Sequence, residues 1–185
     1  MKLDLALWYD DLAQVPELVR SAEDLGFSAV WTSDTSHNPM LPLVLAAEHS
    51  RQLQLGTAIL VALARSPMDV AYQAWDLARF SRGRLMLGLG TQVPAHIRRR
   101  FGMEWKQPSA EALRDYVLAL RAIWHAWQSG ERLNYRGEFY THTLMSPFFD
   151  PGPHDWPRIP IYTAGVNSRM CRLAGEVSDG LHAHP

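Results

Sequence analysis

The chain predicts an α/β fold built on a parallel sheet, and three observations carry that prediction. Short apolar stretches alternate with longer ones whose apolar residues recur at helical spacing, the pattern of strands joined by crossover helices. The short stretches are apolar throughout rather than at every second position, as strands covered on both faces should be. Residues 55–92 contain one whole unit. An apolar run through Gly56 breaks at Arg65-Ser66-Pro67, an amphipathic stretch stops at Gly83, and a second apolar run opens into Gly90-Thr91-Gln92. Glycine and small polar residues at the end of a parallel strand mark the face on which such folds bind ligands.

Each element has its own justification. Residues 3–8 read as a strand. Residues 16–25 read as a helix with Leu18, Val19, Ala22 and Leu25 on one face, Pro16 in the first turn and Gly26 closing the end. Residues 27–32 form the second strand, 41–49 a Pro-started helix, and 53–61 a third strand. Ser66 is placed to cap the next helix, with Pro67 in its first turn and Asp69 completing a capping-box-like pair. Val70, Ala71, Ala74, Trp75 and Ala78 follow at helical spacing. Residues 84–89 are the fourth strand.

The longest helix spans 109–129, its stripe made by Leu113, Tyr116, Val117, Leu120, Trp124 and Trp127. Residues 159–163 are a fifth strand, 167–177 a helix capped by Asn167, and 181–184 a sixth strand. Two stretches interrupt the alternation. Residues 93–108 carry Arg98-Arg99-Arg100; residues 131–157, rich in aromatics, proline and glycine, read as an insertion, hairpin-like, over one end of a single domain, 1–185.

The connections imply right-handed crossovers. A doubly wound sheet and a (β/α) barrel both satisfy them. The first strand–helix junction, Trp8-Tyr9-Asp10-Asp11, lacks the G-x-G-x-x-G fingerprint, which weakens the dinucleotide-binding version of the doubly wound sheet.

Composition narrows the function classes. A formal net charge of −1 gives no argument for nucleic acid or an anionic membrane. The single cysteine, Cys171, excludes an internal disulfide framework and fits a reducing compartment. The N-terminal apolar run is too short for a signal peptide, and no run nears the about 18 residues of a membrane span. A cytoplasmic location is the expectation.

Ordered along the whole chain stand SAEDLGF, AVWTSD, LGTAI followed by ARSP, AWDLARFSRGR, LMLGLGTQ and AGVNSRMCRLAGEVSDG. In that combination the chain resembles the luciferase-like monooxygenase superfamily, especially its coenzyme F420-dependent oxidoreductases. The resemblance implies a TIM-type (β/α)8 barrel, of which about six βα units are present here, since such a barrel takes roughly 200–250 residues or more. The expectation is therefore the N-terminal part of a longer domain. The alternative is a natural half-barrel, whose two open edges are an aggregation liability.

The resemblance further implies hydride transfer between a deazaflavin, coenzyme F420, and a small organic substrate. FMN is the alternative cofactor, in a monooxygenase of the same superfamily. A homodimer is compatible with it. A reading of another class is a non-catalytic chain that assembles through its open edges.

Candidate residues follow. Ala58 and Ile59 lie where many relatives have a bulge with a non-prolyl cis peptide behind the cofactor ring; the plain alternative is ordinary strand core. Asp34 ends the second strand and can serve as acid/base or orient one, or simply bond a loop. Thr35 stands where many relatives have a histidine, and His37 substitutes only if the loop turns back. Gly88, Gly90, Thr91 and Gln92 end the fourth strand. Glycine lets a planar ring approach, and Thr91 and Gln92 can bond its polar edge. Some relatives have Glu at the position of Gln92; Gln does not titrate, so proton donation from there is not expected.

Gly165 and Asn167 lie in a strand-to-helix turn suited to a phosphate, or serve as plain turn and cap. Trp8 and Trp31 wall a substrate pocket or fill core. The Arg98–Arg100 run meets an acidic cofactor tail or is a solvated face. His182 and His184 have metal-ligand spacing but no accompanying carboxylate cluster, so no metal site is expected. Cys171 reads as helix core.

Overall fold

The computed structural model describes residues 2–183. In chain order the elements are β1 (Asp4–Ala6), α1 (Val15–Asp24), β2 (Ala29–Thr32), α2 (Leu41–His49), β3 (Gln54–Thr57), β4 (Leu60–Val61), α3 (Pro67–Phe80), β5 (Leu85–Gly90), α4 (Pro94–Arg99), α5 (Ser109–Ser129), β6 (Tyr135–Arg136), β7 (Thr141–His142), β8 (Ile161–Gly165), α6 (Ser168–Val177) and β9 (Gly180–Ala183). Short 3₁₀ turns at Leu12–Gln14 and Ala62–Ala64 precede α1 and α3.

The main sheet has the order β1-β2-β3-β5-β8-β9, with β4 beside β5. Every pairing in it is parallel. The sheet is curled. Trp31 on β2 and His182 on β9 lie four strand spacings apart, about 19 Å along a flat sheet. Their ring centroids are 4.9 Å apart. The architecture is therefore a half-barrel, the incomplete TIM-type barrel expected from the sequence.

Helices cover the outer face of this half-barrel. Val30, Leu55, Leu87 and Ile161 of the sheet are fully buried in one cluster with Val19, Leu43, Ala74, Trp75, Leu113 and Leu120 of the helices. The inner face is filled by rings lying on glycines. A Cβ on Gly56 would come within 2.2 Å of the Trp31 ring, and one on Gly180 within 2.3 Å of the Tyr162 ring. Trp31, Tyr162 and His182 contact one another.

Local chemistry sets the helix ends as expected. Ser66 accepts the Met68 N–H and Asn167 accepts the Met170 N–H. Gly130 ends α5 in the left-handed conformation, φ 73°.

Two expectations are corrected, and two further stretches gain detail. Residues 53–61 are not one strand but β3 and β4 separated by a bulge. Residues 93–108 contain the short helix α4. Cys171 is exposed rather than core. The segment 131–157 contains a hairpin, β6–β7, and lies against α5 and α3. The Asp115 carboxylate of α5 accepts the Tyr135 hydroxyl and the Phe139 and Tyr140 N–H groups. On α3, Tyr72 donates to the Phe149 carbonyl and Trp75 to that of Gly152.

No helix among the described residues is long and apolar enough to cross a membrane. His184 lies outside the described residues.

Candidate functional site

The bulge is where the site begins. Gly56 pairs with Met86, and Leu60 with Leu89. Four steps on one strand thus face three on its neighbour, one residue in excess. The extra residue falls at Ala58–Ile59, whose peptide bond is cis. A bulge of this kind re-aims a side chain, and here Ile59 is turned toward the carboxyl ends of β5 and β8. Thr57 sits just before it, its hydroxyl donating to the Gly88 carbonyl at 2.7 Å and accepting the Gly88 N–H at 2.9 Å. A Cβ on Gly88 would lie 1.8 Å from the Thr57 carbonyl oxygen, so the strands meet this closely only through glycine.

A cleft of about 630 Å³ opens at these strand ends, lined by Ile59, Gly90, Thr91, Gln92, Gly165 and Asn167, together with Ser109, Ala164, Arg169 and Met170 among others. Six of the seven residues assigned to the cofactor shell therefore share one cleft. Ala58, the seventh, is half-buried at the back of the bulge. The floor is apolar. Gly90 gives Ile59 its place, since a Cβ there would stand 2.8 Å from the Ile59 Cδ1. The rim is polar. Gln92 adopts a left-handed φ of 61° and its side-chain oxygen accepts the Val93 N–H at 3.0 Å. Asn167 spends its side-chain oxygen on the Met170 N–H at 3.0 Å. Arg169, on the same rim, pairs with Glu111.

Size alone does not single out this cleft. A hollow of about 470 Å³ lies between α2 and α3, and one of about 670 Å³ at the amino-terminal end beside Arg51, Arg82 and Arg84. The first is a groove on the outer helices. The second lies at the end of the sheet that α/β barrels use for stability rather than chemistry. Of these three hollows, the Ile59 cleft is the one at the carboxyl ends of parallel strands.

The acid/base candidates are placed elsewhere. Asp34 is buried, 7% exposed. Its Oδ2 accepts Arg65 Nη1 at 2.6 Å and the Val61 N–H at 3.1 Å, and Arg100 Nη2 stands 3.8 Å from Oδ1. His37 is not among Asp34's partners in the described residues. It is exposed, stacked on Tyr9 with ring centroids 4.9 Å apart, in a small cleft shared with Trp8, Trp31, Ser33 and Thr35. Trp8 is 72% exposed there. Trp31 borders that cleft and turns its ring to the inside of the half-barrel, its Nε1 donating to Asp4 at 3.1 Å. His182, also inside, is held below the usual imidazole range by burial.

Arg65 is the residue that reading the sequence missed. It stood in ARSP as part of a helix start. Its signal was the need of an arginine at a buried strand end for a carboxylate, which Asp34 supplies. Arg100 of the basic run, though exposed, turns back toward the end of β2: it donates to the Thr35 carbonyl, and its guanidinium lies 4.8 Å from the Phe101 ring centroid. Arg98 and Arg99 are exposed.

Comparison with known proteins agrees with this architecture. The family model described as luciferase-like monooxygenase matches residues 4–185, and the chain belongs to that family. An uncharacterised protein of Mycobacterium tuberculosis is 49% identical over 185 residues, 100% of this chain and 54% of that protein. The 5,10-methylenetetrahydromethanopterin reductase of Methanolobus tindarius is 28% identical over 174 residues, 93% of this chain and 50% of that protein.

Two solved structures show the same fold. The coenzyme F420-dependent tetrahydromethanopterin reductase of Methanopyrus kandleri has a TM-score of 0.78 at 23% identity, covering 98% of this chain and 55% of its own. The oxygenating constituent of 3,6-diketocamphane monooxygenase from Pseudomonas putida, in complex with FMN, has a TM-score of 0.76 at 18% identity, covering 95% and 55%. The chain spans about half the length of the curated relatives it matches.

Proposed function

We propose that this chain is the cofactor-bearing half of an oxidoreductase that moves a hydride between the deazaflavin coenzyme F420 and a small organic substrate. One observation carries the reading: Ile59, Gly90, Thr91, Gln92, Gly165 and Asn167, drawn from three strand ends, line a single cleft. The cleft's size is in the range that holds cofactors. Its chemistry fits a flat ring with one polar edge. Ile59 and Ala164 offer an apolar floor, Gly90 would let a ring come close to the backbone, and Thr91 and Gln92 carry donors suited to a polar edge.

The turn at Gly165 and Asn167 opens α6, whose first free N–H groups suit the cofactor's phosphate. The cofactor, when bound, supplies the hydride-carrying carbon. The protein's own residues orient the ring, exclude water from one face and bond its edge. Gln92 is neutral, so any proton exchanged with substrate passes through another group. The Methanopyrus reductase, which is coenzyme F420-dependent, favours F420; the FMN-bound neighbour supports FMN, in a monooxygenase, as the alternative.

Fluorescence titration separates these readings. Micromolar binding of F420, weakened about tenfold or more by Gly90→Ala, with FMN bound far less tightly, is the expected result. Tight FMN binding with oxygen consumption would move the assignment to a monooxygenase. Concentration-dependent assembly without affinity for either cofactor would favour a non-catalytic chain.

A further inference from the structure

We propose that Asp34 and Arg65 are a positioning pair that fixes the direction of Ile59, and that Asp34 is not the acid/base of the site. The proposal rests on the reading that the Ile59 cleft holds the cofactor ring.

A bulge leaves backbone donors and acceptors that the neighbouring strand cannot meet. Around Ile59 the residues at the end of β2 meet them instead. Ala58 N–H donates to the Thr32 carbonyl at 2.7 Å and Asp34 N–H to the Ile59 carbonyl at 3.1 Å. The Ser33 hydroxyl donates to the Ala58 carbonyl at 2.9 Å. Val61 is clamped through both of its backbone groups. Its N–H donates to Asp34 Oδ2 at 3.1 Å, and its carbonyl accepts Arg65 Nη1 at 3.0 Å. The same Nη1 closes the loop by meeting Asp34 Oδ2 at 2.6 Å.

The pair is shielded, with 15% of the Arg65 side chain and 4% of Asp34's exposed, so solvent screens it little. It also reaches α4. Arg65 and Arg100 both lie over the Phe101 ring, at 5.7 and 4.8 Å, and Arg100 faces Asp34 Oδ1 at 3.8 Å. Phe101 and Ile59 pack against one small cluster of Val61, Leu63, Ile97 and Ala112. One carboxylate thus holds the bulge and the segment after β5 in register. With two donors on Oδ2 and a guanidinium facing Oδ1, it is poorly placed to exchange a proton with a substrate.

Amide hydrogen exchange of the full chain tests this without a cofactor. Arg65→Met and Asp34→Ala are expected to speed exchange about tenfold or more in residues 57–64 and 96–101, while residues 113–127 stay protected. Arg65→Lys, which keeps the charge and one donor, should restore most of the protection, and Asp34→Asn, which keeps an acceptor for Val61, an intermediate share. The F420 affinity should fall about tenfold in Arg65→Met and recover to within about threefold in Arg65→Lys.

Unchanged exchange in 57–64, or a uniform rise along the whole chain, would overturn the pair as a positioning device. Local loosening in a chain that binds no F420 would uphold the pair and remove the functional reading. F420 binding equal in all variants would leave the functional reading intact and overturn the pair's role.

Discussion

Both ends of the sheet are tied by an arginine, and the contrast separates what holds this half-barrel from what is open to a ligand. At the amino-terminal end Arg84 spends its guanidinium on neutral acceptors: the carbonyls of Ser81, Leu53 and Ala47 at 2.8, 3.0 and 2.8 Å and the Ser50 hydroxyl at 2.8 Å. Glu23 caps the same end, its carboxylate accepting the N–H groups of Arg51, Gln52 and Leu53. Burial alone would raise Glu23's pKa; those three bonds and the nearby Arg84 outweigh it and hold it below its ordinary value. Arg84 and Glu23 are used up there in closing the structure. At the carboxyl end Arg65 and Asp34 are likewise satisfied, but they support a bulge beside which Thr91, Gln92 and Arg169 ring an open cleft.

The largest expected effect lies at the closed end. Arg84→Met strips partners from three carbonyls and a hydroxyl, and should lower stability by roughly 3 kcal/mol in denaturant unfolding, with cofactor affinity unchanged. An affinity loss as large as the stability loss would erase the distinction between the ends.

Gly90→Ala should do the reverse. Its new Cβ meets the flexible tip of Ile59 rather than backbone, so stability should change by less than about 1 kcal/mol while the cleft floor shifts.

Acidification has the smallest effect per group. His142, His154 and His182 are each held below the usual imidazole range, by burial first. Unfolded, they titrate near about 6.5. The unfolded chain therefore binds more protons between the two values, so their stabilising share is complete above about pH 6.5 and is lost as pH falls through the folded values. Unfolding midpoints at pH 7.5 and 5.5 check the sign, and His182→Phe should flatten the dependence.

The elements with a strong period or a clear cap were legible in the sequence. Residues 41–49 and 109–129 match α2 and α5 end to end, and Asn167 caps α6 as read. The convergence of Gly90, Gly165 and Ile59 was legible because parallel strands carry their loops to one end. Three things were not. The break in 53–61 depends on register against β5, which only pairing reveals. The inward turn of Trp31 depends on Gly56 on the next strand leaving room for its ring. Arg65's role depends on a carboxylate 31 residues away in sequence, joined to it only by the sheet. Local pattern records period and capping; it does not record what two distant segments do to each other.

The surplus residue between Gly56 and Leu60 has one more consequence. Removing any one of Thr57, Ala58 or Ile59 would set three steps against three, so Leu60 and Val61 would keep their partners on β5 while the bulge that aims Ile59 would be lost. Along this stretch the number of residues matters more than their identity. Substitutions there reshape a surface, whereas a one-codon deletion straightens the strand and takes the floor of the cleft with it.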